Sequence, residues 1–263
     1  VRDAVRAGKH VLSQKPFVLD LDEGRELVQL ADRHGVSLAV NQNGRWAPHH
    51  SFLLAAVRGG LLGTVSSADF ALYWPHDVDV RESPVFSRME DLILYDFGIH
   101  WFDLIATLFA GHGPAQTVYA SVGRTADQVI PVPTSAQVLV QFRRAAATLV
   151  LRGSSHRARS GGYRVDGSAG ALVHTTANEL GGRDPLVTLH TDAGARPFAL
   201  SGNWWENGMH GTMGELLASI ESGRRPSNDA RTSLPGLSLC FAAIASARAG
   251  APVDPATVTR LSE

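Results

Sequence analysis

The stretch HVLSQKPFVLDLDEGRELVQLADRHGVSLAVNQNGRW, residues 10–46, decides how the rest of the chain is read. Its first apolar run, HVLSQKPF, has the length and composition of a short strand. A helix start follows. Asp20 or Asp22 can cap it, Glu23 falls in its first turn, and Leu27, Leu30 and Ala31 repeat at helical spacing until Gly35. Val36 to Val40 is a second strand. Upstream, VRDAVRAGKH reads as the last turns of another helix, with Gly8 where a C-terminal glycine belongs. Helix–strand–helix–strand is the order of a parallel, doubly wound βαβ sheet. Two parallel strands alone do not form a stable sheet. Residues 1–46 are therefore expected to be the C-terminal part of a dinucleotide-binding domain whose earlier strands lie before Val1.

Beyond Trp46 the texture changes. A helix is expected over Ala47–Arg58, ended by Gly59-Gly60, then a long alternating strand over Val65–Trp74. Pro75 to Asp91 is polar and reads as a loop, and Leu92 to Phe109 as an apolar helix. Short alternating segments follow at Val118–Val122, Ala136–Phe142, Ala147–Arg152, Tyr163–Val165 and Leu186–Thr191. That is the pattern of an antiparallel sheet. Helices over Gly208–Ser222 and Ser233–Ala249 close the chain. Residues 47–263 are thus expected to form an α+β domain, a mainly antiparallel sheet flanked by helices.

The 263 residues carry a net charge of −1, which favours neither nucleic acid nor an anionic membrane surface as partner. No apolar run reaches the roughly 20 residues a membrane span needs, and VRDAVRAGKH is not a signal peptide. The single cysteine, Cys240, sits in LSLCFAAIA and is expected to be a buried, inert thiol. Cytoplasmic location is the default.

Chemistry-bearing residues concentrate in two places. Ser13-Gln14-Lys15-Pro16 ends a parallel strand, where open α/β sheets place ligands. Lys15 and Lys9 are the only lysines among 24 basic residues. A lysine at that end can polarise a hydroxyl or stabilise an alkoxide; an exposed loop lysine is the competing reading. The second place is Tyr95-Asp96-Phe97-Gly98-Ile99-His100-Trp101-Phe102-Asp103. Asp96 and His100 are four apart, on one helix face, and His100 suits a general base. A histidine satisfied by an i−4 carboxylate is the structural alternative. Gly98 costs a helix roughly 1 kcal/mol against alanine, so close approach of a ligand or another backbone is expected there. Arg45 and Trp46 end the last parallel strand and could face the same ligand. Trp204, Trp205, Asn207 and His210 suit carbohydrate stacking or a packing cluster at the core edge. His76, Asp77 and Asp79 read as a solvated acidic loop. Gly59, Gly60 and Gly63 follow a helix and precede a strand, the wrong order to cradle a pyrophosphate. No histidine or carboxylate spacing matches a metal-ligand set, so no metal is expected.

Taken together, Lys15-Pro16 at a strand end and the Asp96-x-Gly98-x-His100-x-x-Asp103 motif resemble the Gfo/Idh/MocA family, relatives of glucose–fructose oxidoreductase and inositol dehydrogenase. Asn41–Trp46, Arg58–Val65, Val165–Leu172, Glu215–Gly223 and Pro226 with Asp229-Ala230 resemble further family segments in the right order. The resemblance implies an NAD- or NADP-dependent oxidoreductase acting on a sugar, cyclitol or related polyol. It implies that Lys15, Asp96 and His100 meet over the nicotinamide as catalytic residues. Lys15 would bind the reacting hydroxyl, His100 would take its proton, and Asp96 would hold substrate or orient His100. It implies cofactor contacts from Gln14, Lys15, Pro16 and Asn43, and substrate contacts from Arg45, Trp46, Asp96, His100, Trp205 and His210. Assembly as a homo-oligomer, dimer or tetramer, through the antiparallel sheet is also implied. Two departures stand out: Gln14 occupies the place of the family's usual glutamate, and Arg88–Leu92 is bulkier than the family's glycine-rich approach to the helix motif. Because the G-x-G-x-x-G fingerprint is absent from the sequence, a non-catalytic binding or assembly module stays open, as does an NAD-dependent glycosidase.

Overall fold

A computed structural model describes residues 1–261. Helix α1 (Arg2–Arg6), strand β1 (Val11–Ser13), helix α2 (Leu21–His34) and strand β2 (Leu38–Val40) follow in that order. β1 and β2 are parallel, Val11 opposite Leu38 and Ser13 opposite Val40. Asp20 caps α2: its carboxylate accepts from the backbone N–H groups of Asp22 and Glu23. Gly35 ends the helix at φ 62°, a left-handed conformation that suits glycine. Between these ends Leu21, Leu27, Leu30 and Ala31 are buried, the three-and-four spacing of one apolar face.

A 3₁₀ turn (Asn43–Trp46) leads into helix α3 (Pro48–Arg58). The glycines after it make a turn, with Gly60 and Gly63 at positive φ. The large sheet then begins. Its strands are β3 (Val65–Tyr73), β4 (Thr117–Gly123), β5 (Ser135–Gln141), β6 (Ala146–Arg152), β7 (Ser160–Gly167), β8 (Ala171–Thr176), β9 (Leu186–Thr191) and β10 (Gly194–Ala199). The spatial order is β10-β9-β8-β7-β3-β6-β5-β4. Every neighbouring pair is antiparallel except β3 and β6, which run parallel. A parallel pair needs a long crossover, and the segment between β3 and β6 supplies it. In β5 buried and exposed side chains alternate strictly, the two-residue period of a sheet with one covered face.

The covered face meets helices α5 (Ile99–Leu108) and α7 (Ala230–Ala249). These two helices approach closely: a Cβ on Gly236 would stand 2.8 Å from Cα of Asp103. Helix α6 (Trp204–Glu221) packs over the Asn43–Trp46 turn. It starts four residues earlier than the sequence suggests because Asn203 caps it, accepting from the Glu206 N–H. Residues 75–91 are not simply a loop. They hold helix α4 (His76–Val80) and a 3₁₀ turn at Phe86–Arg88. β8 and β10 are likewise absent from the sequence reading. One continuous apolar core joins Leu38 and Val40 to Phe70, Leu149 and Phe241. Cys240 lies inside it, fully buried, where burial pushes its thiol pKa well up. Among the described residues, no helix is long and apolar enough to cross a membrane.

Candidate functional site

β1 ends at Ser13, and Gln14-Lys15-Pro16 turns over its C-terminal end, with the Lys15–Pro16 bond cis. Lys15 Nζ donates to Asp96 Oδ1 and to the Asp96 carbonyl, each at 2.8 Å. Asp96 belongs to a π-helical turn, Ile93–Phe97, immediately before α5. Such wide turns recur at functional sites. Gly98 closes the turn through N–H to Ile93 O at 3.0 Å. A Cβ there would stand 2.9 Å from the Leu94 carbonyl oxygen and 3.2 Å from Leu151 of β6. The close approach expected at Gly98 is therefore made by its own preceding turn and the sheet, not by a ligand.

His100 opens α5, but Asp96 does not orient it, because Asp96 is committed to Lys15. The His100 Nδ1 atom is buried and lacks a hydrogen-bond partner. Its ring stands edge-on to Trp204 at 5.6 Å and to Trp101 at 6.2 Å. Burial, and next the positive charge of Lys15, hold the imidazole pKa well below its ordinary 6.5. At neutral pH the ring is uncharged and can accept a proton.

These groups face a cavity of ≈ 560 Å³. One wall is Gln14, Lys15, Asn41 and Asn43 from the ends of the parallel strands. A second is Trp74, His76 and Asp79, and a third Asn178, Trp204, Trp205 and Met209. His76 corrects the reading of residues 76–79 as a solvated acidic loop. It is buried, stacks on Phe97 at 4.1 Å, and has an unpartnered Nε2. Burial lowers its pKa to about 4 against the pull of Asp96 and Asp79. Asp77 is fully buried, accepting from His156 Nε2 at 3.0 Å and the Val129 N–H at 2.9 Å. Asp79 accepts from the Trp74 indole N–H at 2.5 Å. The guanidinium of Arg159 lies over the Trp74 ring at 4.5 Å. The Trp74-Pro75-His76 run at the end of a long strand was the available signal for this wall.

Gln14, Lys15, Asn43, Asp96, His100 and Trp205 thus reach one cavity, and four other expected contacts, Pro16, Arg45, Trp46 and His210, do not line it. Arg45 is buried and turned away: Nε and Nη2 donate to the two Asp103 carboxylate oxygens, each at 2.6 Å, while Nη1 donates to Ser227 O. Trp46 packs beneath α6 against Gly211. His210 is exposed on α6. Gln14 does not leave Lys15 without a counter-charge, since Asp96 supplies it. The Gln14 side-chain oxygen instead accepts from the Lys15 N–H at 2.9 Å and from Asn41 Nδ2 at 3.3 Å.

The donor set suits the reacting end of a dinucleotide cofactor: amide side chains at the carboxyl ends of parallel strands, an ammonium, and an imidazole on the cavity wall. Among the described residues no glycine-rich turn follows β1 or β2 to cradle a pyrophosphate.

A second polar cluster lies behind Trp204. His49, His174 and Glu179 are all buried and close enough to share an ion. His49 Nε2 is 2.9 Å from Glu179 Oε1, and His50 Nε2 is 3.7 Å from the same oxygen. The expectation of no metal rested on sequence spacing, which carries no trace of this convergence.

A short parallel sheet with a lysine at its carboxyl edge, joined to a large mixed sheet whose covering helix and the turn before it supply a histidine and an aspartate, defines the class: an oxidoreductase with an NAD-binding Rossmann fold. Residues 1–42 match the model of that domain, described as the oxidoreductase family, NAD-binding Rossmann fold. Residues 52–173 match the GFO/IDH/MocA C-terminal domain. The chain belongs to the Gfo/Idh/MocA family. A D-apiose dehydrogenase of Paraburkholderia graminis is 27% identical over 258 residues, covering 95% of this chain and 68% of that protein. A 1,5-anhydro-D-fructose reductase of Ensifer adhaerens is 39% identical over 74 residues, 27% of this chain and 22% of that protein. An oxidoreductase from Agrobacterium radiobacter, solved with NAD⁺, L-tartaric acid and magnesium, superposes with TM-score 0.80 at 19% identity, over 97% of this chain and 76% of that one. The aldose–aldose oxidoreductase of Caulobacter crescentus, solved with glycerol, gives 0.75 at 21% identity, over 96% and 74%. Both share the fold.

Proposed function

We propose that the chain carries the reaction centre of an NAD(P)-dependent dehydrogenase that oxidises a secondary alcohol of a sugar or related polyol. The observation that carries this reading is the meeting of a paired ammonium, Lys15–Asp96, and an uncharged imidazole, His100, in one cavity at the carboxyl edge of the parallel strands. Lys15, held in place by Asp96, donates a hydrogen bond to the substrate hydroxyl and favours its ionised form. His100, whose ring lines the cavity and is uncharged, takes the hydroxyl proton on the ring edge that faces it. The nicotinamide, when bound, accepts the hydride that leaves the same carbon. Trp205, half exposed, and Trp74 offer flat apolar surface to the C–H faces of a sugar ring, and Asn178 and Asp79 offer hydrogen-bond partners for its other hydroxyls. The dehydrogenase names of the relatives, D-apiose among their substrates, support the same substrate class.

Reduction of NAD⁺ or NADP⁺ by a panel of aldoses and cyclitols, followed at the nicotinamide absorbance, tests this directly. Calorimetric titration with each dinucleotide separates binding from turnover. No heat with either cofactor sinks the dehydrogenase reading and leaves a binding or assembly module. Release of free sugar without net NADH marks a glycosidase instead. Copies of the chain associate, on this reading, through the open sheet face, where Tyr119 and Leu139 are cross-strand partners and both remain exposed. Light scattering that shows only monomer breaks that part.

A further inference from the structure

Behind the cavity wall, three histidines and a glutamate converge in a place that water does not reach. His49 and His50 open α3, His174 comes from β8, and Glu179 from the loop after it. Relative exposures are 3% for His49, 0% for His50, 1% for His174 and 4% for Glu179. Buried polar atoms are nearly always hydrogen-bonded. Here His50 Nε2, His174 Nε2, His49 Nδ1 and Glu179 Oε2 are all buried and all without a partner. Three of the four face one another around a single carboxylate.

The tautomers sharpen the point. His50 Nδ1 is 3.0 Å from the Gly44 carbonyl, and His174 Nδ1 is 2.8 Å from the Leu186 carbonyl. A carbonyl only accepts, so each Nδ1 carries the proton and donates it. Each Nε2 of a neutral ring then presents a lone pair toward Glu179, itself an acceptor. A lone pair aimed at a buried carboxylate repels it, so either a second ring proton or a cation must lie between them; two histidines and one carboxylate oxygen left without hydrogen-bond partners favour the cation. Metal-ligating histidines show this same arrangement, one ring N–H donated to a carbonyl and the other nitrogen on the ion. His49 has no such carbonyl, and its Nε2 approaches Oε1 directly.

The distances agree. Bonds of about 2.0–2.1 Å to a tetrahedral zinc ion separate neighbouring ligand atoms by about 3.3 Å. Nε2 of His49 and of His50 lies 2.9 Å and 3.7 Å from Glu179 Oε1, and Nε2 of His174 lies 3.4 Å from Oε2; the ligand atoms of His49, His174 and Glu179 fall within 4.8 Å of one another, a shell that contracts somewhat around an ion. We propose that His49, His174 and Glu179, with His50 at the fourth position, bind one zinc-type divalent cation. Imidazole and carboxylate donors in a closed four-coordinate site suit zinc over magnesium or calcium, which take oxygen ligands and higher coordination. The ion would have a structural task. Glu179 lies between Asn178 and Leu180, and both line the cavity. Trp204, another lining residue, packs edge-on against His50 at 5.1 Å. Holding these ligands together fixes the wall opposite Lys15. This inference is independent of the dehydrogenase reading.

The experiment titrates the tag-free chain with Co²⁺ and then displaces it with Zn²⁺. One equivalent is expected, with the visible absorption of a four-coordinate nitrogen–oxygen site. Zn²⁺ at a hundredfold excess over its Kd raises the melting temperature by about 5–10 °C. Glu179→Gln lowers metal affinity at least a hundredfold, and His210→Ala, at an exposed histidine, leaves it unchanged. Absence of the four-coordinate spectrum, or equal affinity in Glu179→Gln, overturns the proposal. Should Glu179→Gln fail to fold, X-ray absorption of the zinc-loaded wild type decides. Two or three imidazoles near 2.0 Å support the site, and a shell of oxygens alone overturns it.

Discussion

The cavity and the cluster behind Trp204 are both lined with buried histidines, yet they solve the burial problem in opposite ways. At the cavity, His76 and His100 line an open space of ≈ 560 Å³, and one ring nitrogen of each is buried without a partner. On the proposed function, what fills that space is a molecule that comes and goes. In the cluster, His49, His174 and Glu179 lie within ion-binding reach of one another, with His50 Nε2 3.7 Å from Glu179 Oε1. The partner proposed for them is a small ion that stays. An orphaned polar atom is therefore informative only together with what it faces. A third region, Arg45 with Asp103, is as buried as the cluster but has its charges matched by direct hydrogen bonds. It needs neither substrate nor ion.

Removing the proton acceptor of the cavity has the largest expected effect. General acid–base catalysis contributes about 10²–10⁴-fold, so His100→Asn is expected to lower kcat by that factor with KM little changed. Steady-state kinetics at neutral pH check it. Unchanged turnover takes the base role from His100 and breaks the contrast, because the cavity histidine would then do no more than the cluster histidines in shaping a wall. Arg45→Met comes next. It strands Asp103, which is 1% exposed, as an unpaired buried carboxylate, and loss of one partner from a buried pair costs about 3–5 kcal/mol. Calorimetry is expected to show a melting point lower by roughly 10 °C, with the remaining folded enzyme keeping its KM. A changed KM instead restores Arg45 to the substrate site.

His76 distinguishes cavity from core by pH. Its folded pKa of about 4 lies below the ordinary 6.5, so the unfolded chain takes up the proton first. Stability is unaffected above pH 6.5 and is lost as pH falls through the window from 6.5 to 4. The loss by pH 4.5 is about 2.5 kcal/mol at 1.36 kcal/mol per unit. His76→Asn removes that loss, so its urea midpoint is expected to gain on wild type between pH 7.5 and 4.5. Equal acid sensitivity in both proteins means that bound solvent charges His76 at little cost.

What was legible in the sequence was local. Asp20 and Gly35 mark α2 because caps are set by near neighbours. Lys15, Asp96 and His100 are legible because a strand end and a helix start each place chemistry within a few residues. What was illegible is tertiary. Arg45 looks like a ligand contact until Asp103, 58 residues on, is seen to take both forks of its guanidinium. His49 and Glu179 are 130 residues apart, and each sits alone in an unremarkable segment. The parallel pairing of β3 with β6 depends on the crossover, which no strand pattern encodes. β10 alternates weakly because most of it is exposed.

The smallest expected effect concerns Gln14, whose neutrality the sequence made suspicious. If Lys15 depended on its neighbour for a counter-charge, Gln14→Glu would restore a missing ion pair and alter turnover strongly. The geometry argues otherwise. Asp96 already holds Nζ at 2.8 Å, and Gln14 serves as an acceptor for the Lys15 N–H and Asn41. A glutamate oxygen accepts from the same donors. Gln14 is exposed, and an exposed charge pair is worth about 0–1 kcal/mol. Gln14→Glu is therefore expected to change kcat/KM less than about fivefold and to weaken further as salt is raised. A tenfold or larger gain that survives high salt would show that Lys15 lacks charge compensation in the working enzyme. Asp96 would then be free to engage substrate, and the cavity would hold one more unmatched group than its geometry indicates.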